Sequence, residues 1–198
     1  MSKDKKSRGL ESLAIPCGQL AIAVFVGSVG FCWLMSPWFS WTDHALSNLG
    51  QIGEYAWVFQ MGMMVTGALT LAFSYGLYVH LPKYVKPAAG GFMVAGFGLV
   101  GVGLFPGGWL HLASVFLMLG ALAVGLFVLG SKTKGQRMSN VALVVLGIGM
   151  ASLFALHFVE GVAITESIIF VAVAVLIILF TVDMMPQSKG FLGKKARW

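Results

Sequence analysis

No aspartate, glutamate, lysine or arginine stands between Glu11 and Asp43, between Glu54 and Lys83, between Lys86 and Lys132, or between Arg137 and Glu160. Apolar residues and glycine fill these intervals, as in "AIPCGQLAIAVFVGSVGFCWLM", which ends at Met35. Runs of this length are too long for the core of a globular domain. A bilayer span, by contrast, needs about 20 such residues in a helix. Composition agrees: 58% of the 198 residues are hydrophobic and 10% charged, against about 25% charged in a soluble domain. Mean hydropathy is +0.89. The chain is an integral membrane protein of one domain.

Six spanning helices are expected, at roughly 13–35, 55–80, 88–105, 108–130, 140–160 and 165–184. The fold class is all-α, a polytopic six-helix membrane domain over 13–184 between a basic tail at 1–12 and another at 185–198. The first run follows "MSKDKKSRGLES", as a signal peptide would. It is long enough to span, and no small-residue cleavage site follows it, so a retained helix is expected.

Positive charges gather on the cytoplasmic side of a membrane protein. With six spans, all 13 basic residues fall on one side: the N-terminal tail, Lys83 and Lys86, Lys132 to Arg137, and the C-terminal tail. The expected location is the cell membrane, multi-pass, with both termini cytoplasmic and 36–54 outside. Topology and anionic lipid account for the net charge of +6. Membrane lipids are therefore the expected partners, and nucleic acid is not. Trp33, Trp38, Trp41, Trp57 and Trp109 fall near the opposite interface, as belt residues do. Cys17 and Cys32 lie on one helix, more than roughly 20 Å apart at about 1.5 Å per residue, too far to bond.

The third expected span, "AAGGFMVAGFGLVGVGLF", is rich in glycine, which lets helices approach closely in lipid. The long outer connection contains "PWFSWTDHALSNLG". Ser40 and Asp43 have capping-box spacing, and Gly50 can end a helix. A short amphipathic helix at about 41–49 is expected, with Trp41, Ala45, Leu46 and Leu49 on one arc and Asp43, His44, Ser47 and Asn48 on the other. That polar arc carries no lysine or arginine, as a helix floating on anionic lipid would. It is expected to turn inward as a lid.

Away from the cytoplasmic side, the ionisable residues are Asp43, His44, Glu54, His111, His157, Glu160 and Glu166. All map to the outer half. A charge at mid-bilayer costs roughly 2.5–3.5 kcal/mol on insertion scales, so such groups face the bundle interior and pair. Four readings fit. One is a structural hydrogen-bond network in a non-enzymatic lipid-binding or scaffolding protein. A second is a zinc site with His44, His111 and His157 as ligands, Asp43 or Glu160 as base and Ser47 beside them. That set would make a metal-dependent hydrolase acting on a lipid or amphipathic substrate. Asn48 and Glu166 would complete its polar pocket. The chain has no HExxH or paired CxxC motif. A third is haem held by His111 and His157 from neighbouring helices, and a fourth is ion or proton transport.

Three stretches, "LSNLG" (46–50), "LFPGGWLHL" (104–112) and "GVAITES" (161–167), together with six spans, resemble the membrane family known as domain of unknown function 998. The resemblance covers roughly 12–185. It implies roles for Ser47, Leu49, Gly50, Phe105, Pro106, His111 and Glu166, and no activity. The family pattern pairs the glutamate that opens the sixth span with an arginine, where this chain has Ser167.

Overall fold

A computed structural model describes residues 16–80, 83–133 and 163–190. Five α-helices make up the described chain, with no strand among the described residues: α1 (Pro16–Leu34), α2 (Ala56–His80), α3 (Lys86–Leu104), α4 (Gly108–Thr133) and α5 (Ala163–Gly190). Two 3-10 turns interrupt them, η1 (Leu46–Gly50) and η2 (Lys83–Val85). Among the described residues, four stretches are long and apolar enough to cross a membrane: Pro16–Leu34, Ala56–Val79, Lys86–Leu104 and Gly108–Leu129. The fifth expected span, 140–160, lies outside the described residues, as do His157 and Glu160. The sixth expected span falls within α5, whose apolar described part is Glu166–Ile178.

The α2–α3 and α3–α4 connections are short, and α1 to α4 alternate in direction. The packing order is α5, α1, α2, α3, α4, each against the next. One end of the bundle gathers the 36–54 connection, the turn at 105–107 and the start of α5, and is called the cap end below. Lys83 and Lys86 mark the opposite end, where Lys86 Nζ sits 4.0 Å above the Tyr78 ring.

Association in lipid depends on close packing and interhelical hydrogen bonds, and α3 supplies both. A Cβ on Gly67 of α2 would lie 2.7 Å from the Gly96 carbonyl oxygen, and one on Gly91 would lie 2.7 Å from Gly125 Cα of α4. The glycine-rich helix is thus clamped backbone to backbone between its neighbours. Ser74 Oγ, fully buried, donates to the Ala89 carbonyl across the α2–α3 seam at 2.7 Å. Side chains on the outside of the bundle remain apolar, as lipid requires: Val26, Phe97, Leu117 and Val124 are all exposed. Trp57 and Trp109 are exposed at the cap end. Cys17 and Cys32 form no disulfide among the described residues.

The cap departs from the expected helix over 41–49. Residues 41–43 form a turn, and Leu46–Gly50 is a 3-10 helix of five residues. Ala45 adopts extended backbone, φ −89° and ψ 153°, which breaks any α-helix passing through it. Local side-chain bonds compete with the helix here. Ser40 N–H donates to His44 Nδ1 at 3.0 Å, so the imidazole takes the place a capping carboxylate would hold. Ser40 Oγ instead donates to Asp43 Oδ2 at 2.5 Å. Asn48 Oδ1 accepts the Ala45 N–H at 2.8 Å.

Candidate functional site: the capped cavity

Burial in the cap follows its apolar residues. Leu46, Leu49 and Gly50 are buried, whereas Asp43 is exposed and His44 half-buried. Of the polar residues expected to face inward, Ser47 lines the cavity beneath the cap. Asp43 lies at the surface because its carboxylate pairs with Ser40 Oγ, next to Thr42. The apolar arc outweighs the polar one: a buried leucine gains about 1.5–3 kcal/mol, and a hydrogen bond that water can replace gains less.

His44 sits in an aromatic cluster. Its ring stacks on Phe39 at 5.7 Å and meets Trp38 edge-on at 5.3 Å. Because Nδ1 accepts a backbone N–H, that nitrogen carries no proton in this arrangement. Phe39 and Trp33 each pack edge-to-face on Trp41, so the aromatics of 33–44 form one mat at the cap end.

Two bonds tie the cap to α5. The Ala163 N–H donates to the His44 carbonyl at 3.0 Å. The Leu46 N–H donates to Glu166 Oε2 at 2.7 Å. Glu166 thus accepts an N–H at the start of η1 that has no partner within the turn, as side-chain caps do.

His111 has a comparable local duty. Pro106 cannot continue α3, and the residue before a proline is pushed out of helical geometry. Gly108, at φ +78°, lets the chain re-enter as α4. The Phe105 carbonyl, left without a helical partner by this turn, faces His111 Nδ1 at 2.8 Å. A carbonyl only accepts, so Nδ1 carries the proton and Nε2 is the remaining ring nitrogen. His111 is 9% exposed. The Phe-Pro and the histidine of "LFPGGWLHL" are therefore two halves of one turn.

A cavity of about 40 Å³ lies where all five helices converge under η1. Its walls are apolar, including Phe25, Phe59, Met63, Val102, Met118 and Phe170. Phe25 and Phe170 close one side, with ring centroids 4.5 Å apart. Three polar residues line it, namely Ser47, His111 and Glu166. The volume suits a few waters, at about 10–15 Å³ each, so a larger guest enters only if the cap or the methionines move.

Of the expected zinc ligands, His44 and His111 belong to different clusters. His44 lies in the aromatic mat with Nδ1 occupied, and His111 on the cavity. Among the described residues no three histidine, cysteine, aspartate or glutamate side chains gather to hold a metal ion. His157, needed for both the zinc and haem sets, and Glu160, one of the two candidate bases of the zinc set, lie outside the described residues. Asn48 is spent on Ala45 N–H. His111 and Glu166 both line the cavity, each bonded to a different backbone group. The contribution of Leu46 was not foreseen: its backbone N–H, invisible in any side-chain pattern, is what Glu166 holds.

The chain matches a family model described as "Protein of unknown function (DUF998)" over residues 19–183. It belongs to that family of helical, membrane-like proteins. The described residues of the three quoted motifs map onto the cap, the α3–α4 turn and the start of α5, all at one end of the bundle. No curated protein and no solved structure matches the chain.

Proposed function

We propose that the protein binds the apolar chain of a membrane lipid or similar amphiphile in the capped cavity, as a non-enzymatic lipid-binding protein. One observation carries this reading: an apolar cavity at the convergence of the helices, with its three polar residues Ser47, His111 and Glu166 contributed by the cap and two helices. Binding sites are typically apolar concavities with a few converging polar groups. The closed cavity is too small for a lipid, so binding involves displacing the cap, which is held to α5 by the two bonds at His44 and Leu46. In this reading the protein lies in the cell membrane with both termini cytoplasmic, the cap end is external, and the guest comes from the outer leaflet.

The test is lipid retention. Protein purified in mild detergent is extracted and its lipids measured by mass spectrometry, beside a Val102→Phe variant that fills the cavity. A stoichiometric lipid in the wild type that is lost from a monodisperse variant supports the reading. Equal lipid in both overturns it.

A second reading is a metal-dependent hydrolase acting on the same amphiphile. It is favoured by one detail: His111 Nδ1 is fixed on the Phe105 carbonyl, so Nε2 is the ring nitrogen left for a ligand or proton. In that reading His111 Nε2 would be one of the zinc ligands. Elemental analysis and an absorption spectrum of purified protein test it: stoichiometric zinc favours the hydrolase, a Soret band the haem protein.

A further inference from the structure

The polar residues of the cavity differ in what they have left to offer. His111 has spent Nδ1–H on the Phe105 carbonyl at 2.8 Å, so Nε2 of the neutral ring offers a lone pair. Glu166 has spent Oε2 on the Leu46 N–H at 2.7 Å, and Oε1 remains an acceptor with no hydrogen-bond donor among the described residues. Ser47 can donate or accept. Two acceptors and one ambivalent hydroxyl thus line an otherwise apolar space. Charge points the same way. The segments that build the cap end, 35–60, 104–112 and 163–170, contain Asp43, Glu54 and Glu166 and no lysine or arginine.

From this we infer that the site selects single-chain amphiphiles whose head donates hydrogen bonds and carries no negative charge: a long-chain amine or alcohol, not a fatty acid or alkyl phosphate. The inference rests on the lipid-binding reading above and adds the ligand class. An amine head meets Glu166 as an ion pair and donates to His111 Nε2. A hydroxyl head donates to one of the two and accepts from Ser47. A carboxylate or phosphate head would bring a second acid beside Glu166 in a low-dielectric space, where two like charges repel strongly and one of the two groups has to take up a proton. It would find no cation there, and its oxygens would face acceptors. An anionic lipid is better served at the opposite end, beside Lys83 and Lys86.

The test displaces a fluorescent alkyl probe from the full-length protein in uncharged nanodiscs. The competitors are hexadecylamine, hexadecanol, palmitate and hexadecyl phosphate, which share one chain length. The amine and the alcohol are expected to compete at least about 10-fold better than either anion. Glu166→Gln keeps an acceptor for the Leu46 N–H, so the cap stays tied. It is expected to reduce the amine's advantage about 10-fold and leave the alcohol within about 3-fold. Ser47→Ala, a milder change, should weaken the alcohol more than the amine. If palmitate or hexadecyl phosphate competes as well as the amine, the head-group assignment is wrong and the lipid-binding reading stands. If the probe does not bind saturably at all, the lipid-binding reading fails and the assignment with it.

Discussion

Leu46 and Glu166, 120 residues apart in sequence, share a hydrogen bond of 2.7 Å from the backbone N–H of one to the carboxylate of the other. Through it the last described helix holds down the cap formed after the first. The neighbouring bond from Ala163 N–H to the His44 carbonyl doubles the tie. Leu46 is buried, so its N–H has no water to fall back on.

Replacing Glu166 with Ala is therefore expected to destabilise the protein by about 1–3 kcal/mol, the cost of leaving a buried donor unpaired. Glu166→Gln should cost less than half of that, because the amide oxygen still accepts. Thermal unfolding in one detergent, followed by circular dichroism, measures both. Equal losses would mean that the negative charge, and not the acceptor, matters.

His111→Phe keeps a flat ring in the cavity wall and removes the partner of the Phe105 carbonyl. A loss of about 1 kcal/mol is expected, the net worth of one such bond. Hydrogen exchange should rise at 104–108 and stay unchanged in the middle of α2. An unaltered turn would show that Pro106 and Gly108 set its shape alone.

Two glycines should respond with opposite sign. A Cβ at Gly67 meets the Gly96 carbonyl oxygen and Val100 N, which are backbone atoms that cannot swing aside. Gly67→Ala is expected to cost about 1–3 kcal/mol by overpacking. Gly27, on α1, has nothing within 4 Å of a new Cβ. Gly27→Ala should be neutral or stabilise by up to about 1 kcal/mol, since glycine weakens a helix interior.

For topology, a single cysteine at Thr42, in a chain with Cys17 and Cys32 replaced, should react in intact cells with a reagent that cannot cross the membrane. The same cysteine at Thr133 should not. Labelling at position 133 from outside would reverse the orientation proposed from the 13 basic residues.

The helices could be read in the sequence because lipid leaves so little choice. Charge-free intervals placed α1 to α4 within a few residues of their observed ends, at Pro16–Leu34, Ala56–His80, Lys86–Leu104 and Gly108–Thr133. Glycine crowding correctly marked the closely packed α3. The cap was harder to read because its shape depends on which local acceptor captures the Ser40 N–H. Spacing favoured Asp43, and the His44 ring, held among Trp38 and Phe39, takes it instead. That outcome turns on aromatic packing, which a helical wheel does not contain. The Glu166 tie was equally hidden. A glutamate at a helix start reads as a charge to be paired with another side chain, yet its partner is a backbone N–H from a distant loop.

The central claim is that a membrane amphiphile occupies the space under the cap, and covalent capture tests it most directly. A hexadecylamine carrying a photoreactive diazirine at its chain end is irradiated with the full-length protein in nanodiscs, and the modified residues are mapped by mass spectrometry. Met118 is 2% exposed and lines the cavity, whereas its neighbour Leu117 is 51% exposed on the outer surface. The account predicts labelling at Met118 or Met63 that unlabelled hexadecylamine abolishes, beside surface labelling at Leu117 that it does not. Labelling confined to exposed residues such as Leu117, with no saturable component, would contradict it.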